Sequence, residues 1–350
     1  MKNNELLLSN LTEGRTNPRF TSASAIRSLA HKQPEPIIEG LIRLGEQLMV
    51  YSTPGAGKSW FALAIAIASA TGGPVSVDEN ARAKWPATKA RKVLLVDGEL
   101  DGADLAQRLK LLDPNDLLKE RDCLTILSRQ QQEFTADFPN LGSPHHAEDL
   151  LKYCIQEGVE LLVLDNLTTL AQLEDENNAT AFNPLIQGLL MRLKTAGIGC
   201  VLVHHSNKGD GGYRGSSALA TTFNAIIHLK PEPLHRGAFT LHFMKSRNRH
   251  IDNKSVRMEL KEQPDGSLKL ICDDTVSKLE LIAHLVRSRE YMKDQEVMAA
   301  LAIALGESSY NKGTFSKWKK QCIAAQIITC KEWDQCLQEA SELSGGQLML

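Results

Sequence analysis

The run "STPGAGKSW", residues 52–60, places small and glycine residues ahead of a lysine and a hydroxyl, the combination that triphosphate binding needs. Glycines let backbone N–H groups close on an anion, a lysine adds a point charge, and the serine hydroxyl can ligate magnesium. The strict spacing is G-x-x-x-x-G-K-[ST]; Gly57, Lys58 and Ser59 obey it, while Ser52 stands where the first glycine is usual. Ser52 falls at a strand end, farther from the phosphates, where a small residue suffices. Ser52, Thr53, Pro54, Gly55, Ala56, Gly57, Lys58, Ser59 and Trp60 are therefore the expected cradle for ATP, with Mg2+ as its companion ion.

Further polar groups fall at the ends of other apolar runs. "LLVLDN" ends in Asp165, suited to hold magnesium with Ser59, and "VLLVDGE" ends in Glu99, suited to orient an attacking water. Acidic residues at strand ends also cap helices, and Asp97 competes with Glu99 for the catalytic role. "GIGCVLVHH" ends in two histidines. His205 is the candidate for sensing the γ-phosphate, and His204 reads as a partner within the fold.

These residues need a parallel sheet to bring them together. The runs "QLMVY", "RKVLLVD", "CLTILS", "ELLVLD", "GIGCVLVHH" and "FNAIIHL" are near-continuously apolar, and helical stretches follow Gly57, Asp101, Pro144 and Phe182. Such alternation specifies an α/β fold whose parallel sheet is covered on both faces and mixed at its edge. After Pro231 the pattern turns to hairpin strands, "AFTLHFMKS", "SVRMELKE" and "SLKLICD", the last two joined by "QPDG". From Val276 three short helices are expected. The chain thus divides into a polar arm (1–33), an ATPase domain (34–275) and a small helical domain (276–350).

A chain of 350 residues with 42% hydrophobic and 23% charged residues is an ordinary globular composition. Its net charge of -2 gives no global attraction to nucleic acid, so any such contact must be local. Residues 242–257 carry five Lys or Arg against one Asp, and residues 308–320 carry four Lys and no acid. Seven scattered cysteines without a C-x-x-C pair point to reduced thiols. No stretch is long enough to export or anchor the chain, and a cytoplasmic location is expected.

The motif order "STPGAGKS", "VDGE", "LLVLDN", "HHSNK…RGSSAL" and "KSR" resembles the RecA-like ATPases, most closely hexameric helicases of the DnaB and plasmid RepA kind, over about residues 34–272. That resemblance implies that Glu99 is the catalytic base, that His205 couples the γ-phosphate to channel loops, and that Lys245 and Arg247 enter a neighbour's site. It also implies a homo-oligomer, a hexameric ring in that family. The amino-terminal primase-binding domain of the DnaB kind has no counterpart here, so the chain looks more like the compact plasmid and phage type.

Two regions could meet DNA. Lys208, Tyr213 and Arg214 occupy a glycine-rich loop able to track a single strand by charge and stacking, although Arg214 could instead reach a neighbour's phosphate. In the third carboxy-terminal helix Phe315, Trp318 and Cys322 share one face while Ser316, Lys317 and Lys320 occupy another. This resembles a winged helix-turn-helix reader of duplex DNA, or a subunit contact. The sequence therefore supports a motor on single-stranded DNA in plasmid, phage or mobile-element replication, or an ATP-dependent DNA-binding regulator or loader that unwinds nothing. A small-molecule kinase ranks below both, since no substrate lid is evident.

Overall fold

The computed structural model describes residues 20–28, 33–78, 81–133, 138–171, 179–206, 220–232, 237–247, 255–273, 275–305 and 309–346. They fall into two compact units: residues 1–254 with 258–272, and residues 255–257 with 273–350.

The first unit is built on β1 (Pro36–Ile38), β2 (Ile42–Arg43), β3 (Gln47–Ser52), β4 (Pro74–Val77), β5 (Ala83–Pro86), β6 (Val93–Asp97), β7 (Leu124–Ser128), β8 (Leu161–Asp165), β9 (Gly199–His205), β10 (Ala225–Pro231), β11 (Ala238–Ser246), β12 (Val256–Glu262) and β13 (Leu268–Asp273). Eleven form one sheet in the order β5-β4-β13-β12-β11-β10-β3-β9-β8-β6-β7, and β1 with β2 makes a separate ribbon. From β10 through β3, β9, β8 and β6 to β7 every neighbour is parallel, whereas β10–β11 and β4–β5 are antiparallel. This is the RecA-like α/β fold with a sheet mixed at one edge.

The central strands read as expected because both their faces are covered. Every residue of β3, β6 and β8 is buried. Met49, Tyr51, Leu162, Leu164, Cys200 and Leu202 face one way and pack on helices Pro144–Glu157, Leu167–Ala171 and Ala179–Thr195. On the other side runs helix Lys58–Thr71, buried along almost its whole length from Phe61 to Ala70. A helix apolar all round belongs inside a core. It stops at Gly72, whose left-handed φ of 81° lets its N–H reach Ala68 O, as a helix-ending glycine should.

Sequence reasoning did not anticipate β1, β2, β4 and β5. All four are short, and β4 begins at Pro74 while β5 ends at Pro86.

The second unit holds helices Thr275–Arg287, Asp294–Leu305, Lys312–Ala324 and Cys330–Gly346 around a core of Ile282, Val297, Leu301, Phe315, Cys322 and Trp333. The expectation of three helices falls one short. The fourth supplies Trp333, fully buried with its indole N–H donating to Asp294 at 2.9 Å, and so completes the core. Among the described residues no strand follows Asp273.

Candidate functional site

Register brings the polar strand ends into one row. Ser52 of β3 pairs with His205 of β9, and Asp97 of β6 pairs with Asp165 of β8. Because β3, β9, β8 and β6 are adjacent and parallel, all four residues lie at the carboxy-terminal rim, where α/β sheets bind ligands. A pocket of about 280 Å³ opens there, lined among others by Gly55, Lys58, Ser59, Glu99, Asp165 and His205.

The loop between β3 and its helix has the backbone an anion site requires. Gly55 and Gly57 have φ of 75° and 96°, a region costly for any side chain. At Gly57 a Cβ would also lie 3.0 Å from the Phe239 ring. Lys58 is 5% exposed, and its Nζ donates to Thr53 O at 2.8 Å. Burial lowers its pKa, opposed by the charges of Asp165 and Glu99.

Ser52 is placed differently from the rest of the cradle. It is fully buried, and its hydroxyl donates to Leu229 O on β10. The side chain thus ties β3 to β10 and does not line the pocket, and neither do Thr53 and Ala56. Pro54, Gly55, Gly57, Lys58, Ser59 and Trp60 do.

The two acidic candidates after β6 have separate surroundings. Asp97 Oδ1 accepts the N–H groups of Glu99 at 3.1 Å and Leu100 at 2.8 Å, so it closes the turn that carries Glu99. Burial raises its pKa and those two backbone bonds lower it. The residue between them is glycine, and a Cβ on Gly98 would sit 2.5 Å from Thr169 Oγ1, so a larger residue there would force Thr169 to shift. Glu99 turns into the pocket and accepts a hydrogen bond from Asn166 Nδ2.

Asp165 is 3% exposed, and burial pushes its pKa up to about 7, against the hydrogen bond from Ser59. Its Oδ1 has no hydrogen-bond partner. An unpartnered buried carboxylate oxygen beside a serine hydroxyl is a donor set suited to a hard cation, so the residues fit magnesium. Among the described residues no cluster of three or more His, Cys, Asp or Glu could hold a metal by itself. Ser59 and Asp165 would therefore share the ion with phosphate oxygens, and bound there it would offset charge on the phosphates.

Two pocket residues escaped the sequence reading. Asn166 holds Glu99, and Arg108, on helix Gly102–Leu112, lines the same pocket with its guanidinium 4.8 Å from the Trp60 ring centre. A signal for Arg108 existed: it lies three residues beyond Leu105, the buried residue of that helix, and so shares its inward face.

Other candidates lie elsewhere. His204 is buried on the level of Tyr51, outside the pocket. Lys245 lies near the end of β11 and Arg247 one residue beyond it; β11 runs antiparallel to β10, so they sit at the opposite rim. Lys245 pairs with Ile226, beside Met49 of β3, and its Nζ donates to Ala220 O. Arg247 is exposed and level with Asn224, hence with Gln47, about 17 Å below Ser52 at strand spacing. Neither can reach the nucleotide pocket of its own chain. Lys208, Tyr213 and Arg214 lie outside the described residues. Lys317 and Lys320 are exposed on helix Lys312–Ala324 in the second unit, whose opposite face buries Phe315 and Cys322.

Among curated proteins none matches this sequence. A family model described as "AAA domain" matches residues 12–211, a stretch that includes the phosphate loop, Glu99, Asp165 and His205. With a phosphate cradle and acidic strand ends on a RecA-like sheet, and with more than half its length matched, the chain belongs to this AAA-domain family of P-loop ATPases.

Proposed function

We propose that the chain is an ATP-driven motor on single-stranded DNA, assembled as a ring like the hexameric helicases of the plasmid RepA and DnaB kind, and acting in plasmid, phage or mobile-element replication. The observation that carries this reading is the split between the two rims of the sheet. Lys58, Ser59, Glu99, Asp165 and His205 gather at one rim, while Lys245 and Arg247 lie at the other, out of reach of their own chain's pocket, as a role at a second subunit's nucleotide would require.

In this reading Lys58 exchanges Thr53 O for phosphate oxygens, and Ser59 and Asp165 hold Mg2+. Glu99, fixed by Asn166, takes a proton from the attacking water, the step for which a positioned carboxylate is worth about 10²–10⁴ in rate. Arg247 of a neighbour offsets charge developing on the transferred phosphoryl group. His205 ends the strand that leads directly into residues 207–219, where Lys208 and Arg214 would contact the strand. Lys317 and Lys320 would supply contacts to duplex DNA. No helix among the described residues is long and apolar enough to cross a membrane.

The deciding experiment measures ATPase rate with and without single-stranded DNA while recording particle mass. A DNA-stimulated hexamer supports the motor. An unstimulated ATPase that binds duplex DNA through Lys317 and Lys320 would replace it with a regulator or loader.

A further inference from the structure

We infer that the chain carries a second ligand site, in a cavity between helix Lys58–Thr71 and strand β4, for a small neutral aliphatic alcohol. The site goes beyond the ATPase and motor readings and depends on neither.

The cavity measures about 290 Å³. Its walls include Ala64, Ile67 and Ala68 of the helix, Val75 of β4, Leu270 of β13 and the exposed Leu117. A cavity of about 150 Å³ lined by apolar side chains binds benzene, so one of this size has room for roughly eight to ten carbons. No aromatic side chain among the described residues lines it, so nothing there favours a flat ring over a saturated chain.

One polar group interrupts the apolar lining without being used. Ser76 is 3% exposed, and its Oγ has no hydrogen-bond partner. A buried hydroxyl left unpaired carries a desolvation cost, which a ligand hydroxyl would offset because Ser76 Oγ can both donate and accept. The other polar side chains of the lining are committed or stand in water. Asp113 accepts the N–H groups of Leu117 at 3.0 Å and Leu118 at 2.8 Å, and the Thr71 hydroxyl donates to Ile67 O at 2.8 Å. Asn115 and Lys269 are exposed. The buried part of the cavity therefore offers one neutral hydrogen-bonding group and no charge to pair, which selects an uncharged ligand with one hydroxyl.

Two other occupants do not fit. At about 1.5 Å per residue Thr71 lies about 20 Å along the helix from Lys58, and this cavity shares no lining residue with the nucleotide pocket. A peptide strand has no edge to pair with, since β4 already lies between β5 and β13.

The test titrates the full chain with n-octanol by calorimetry, with and without ATP, and records thermal unfolding on the same samples. One saturable site per chain, a melting temperature that rises with octanol and no competition with ATP are expected. Ser76→Ala should weaken octanol binding about three- to tenfold. It should not lower the melting temperature of the free chain, because Ser76 Oγ makes no bond to lose. Ala68→Phe fills the cavity and should abolish binding; if that chain no longer unfolds cooperatively, Ala64→Leu makes the same test with a smaller filling. Absence of saturable binding overturns the inference. So does an affinity that Ser76→Ala leaves unchanged, or one that cavity filling leaves unchanged. Displacement of octanol by ATP overturns it as well, since that would place the alcohol in the nucleotide pocket.

Discussion

Replacing Asp97 with Asn should leave ATP turnover nearly intact, although Asp97 is the more buried of the two carboxylates beside the loop. Asparagine keeps an oxygen where Asp97 Oδ1 accepts from Glu99 N at 3.1 Å and Leu100 N at 2.8 Å, so the turn that presents Glu99 survives. What is lost is charge assistance in two hydrogen bonds, worth about 1 kcal/mol each, partly offset because burial already disfavours the ionised acid. A net loss of about 1–2 kcal/mol corresponds to a melting-temperature drop of about 2–8 °C for a domain of this size. Turnover should stay within about tenfold of wild type. Glu99→Gln should instead lower kcat by about 10²–10⁴ while ATP still binds, because the water loses its base and the phosphate cradle remains. The assay is steady-state ATP hydrolysis with nucleotide affinity and thermal unfolding measured on the same preparations. If Asp97→Asn abolishes hydrolysis without loss of stability or affinity, the base has been placed on the wrong carboxylate.

Mixing Arg247→Ala chains with Lys58→Ala chains should restore activity that neither has alone, since mixed assemblies contain interfaces where an intact Lys58 faces an intact Arg247. Tagged chains that demonstrably exchange without recovery would refute the trans role. Arg108→Ala removes a pocket cation stacked on Trp60 and should weaken ATP binding about tenfold, read by titration against Trp60 fluorescence; unchanged affinity would leave Arg108 a purely structural neighbour of Asp97. His228 and His242 pair across β10 and β11, and burial first, then nearby charge, holds both below the usual value of 6.5. The unfolded chain therefore takes up protons more readily, so their stabilising contribution is full above about pH 6.5 and is lost as pH falls through that value toward their depressed folded values. The denaturation midpoint of the ATPase unit should drop over that range, and His228→Phe, which retains stacking on Tyr51, should flatten the dependence.

The parallel core was legible because buried strands and their helices write continuous apolar runs, as in "LLVLD", and the phosphate loop because its glycines answer a backbone need. The carboxylate question was not. Asp97 and Glu99 lie two residues apart, and only the turn's hydrogen bonds separate the residue that shapes it from the residue it presents. Ser52 invited the same uncertainty: its hydroxyl answers to Leu229, 177 residues away, a partner that no local pattern reveals. The short strands β4 and β5 escaped notice because their apolar content is too small to show a period. Lys208 and Arg214 remain readings of sequence alone.

Helix Lys58–Thr71 is both the support of the phosphate loop and a central beam of the hydrophobic core. A beam buried on all sides cannot swing or fray on its own, since exposing it would undo much of the ATPase unit in one cooperative step. Nucleotide contacts made at its first residues therefore raise the resistance of the whole unit to unfolding, by an amount that grows with the logarithm of ligand concentration. On the motor reading proposed above, this helix is the fixed anvil against which the rest of the site works.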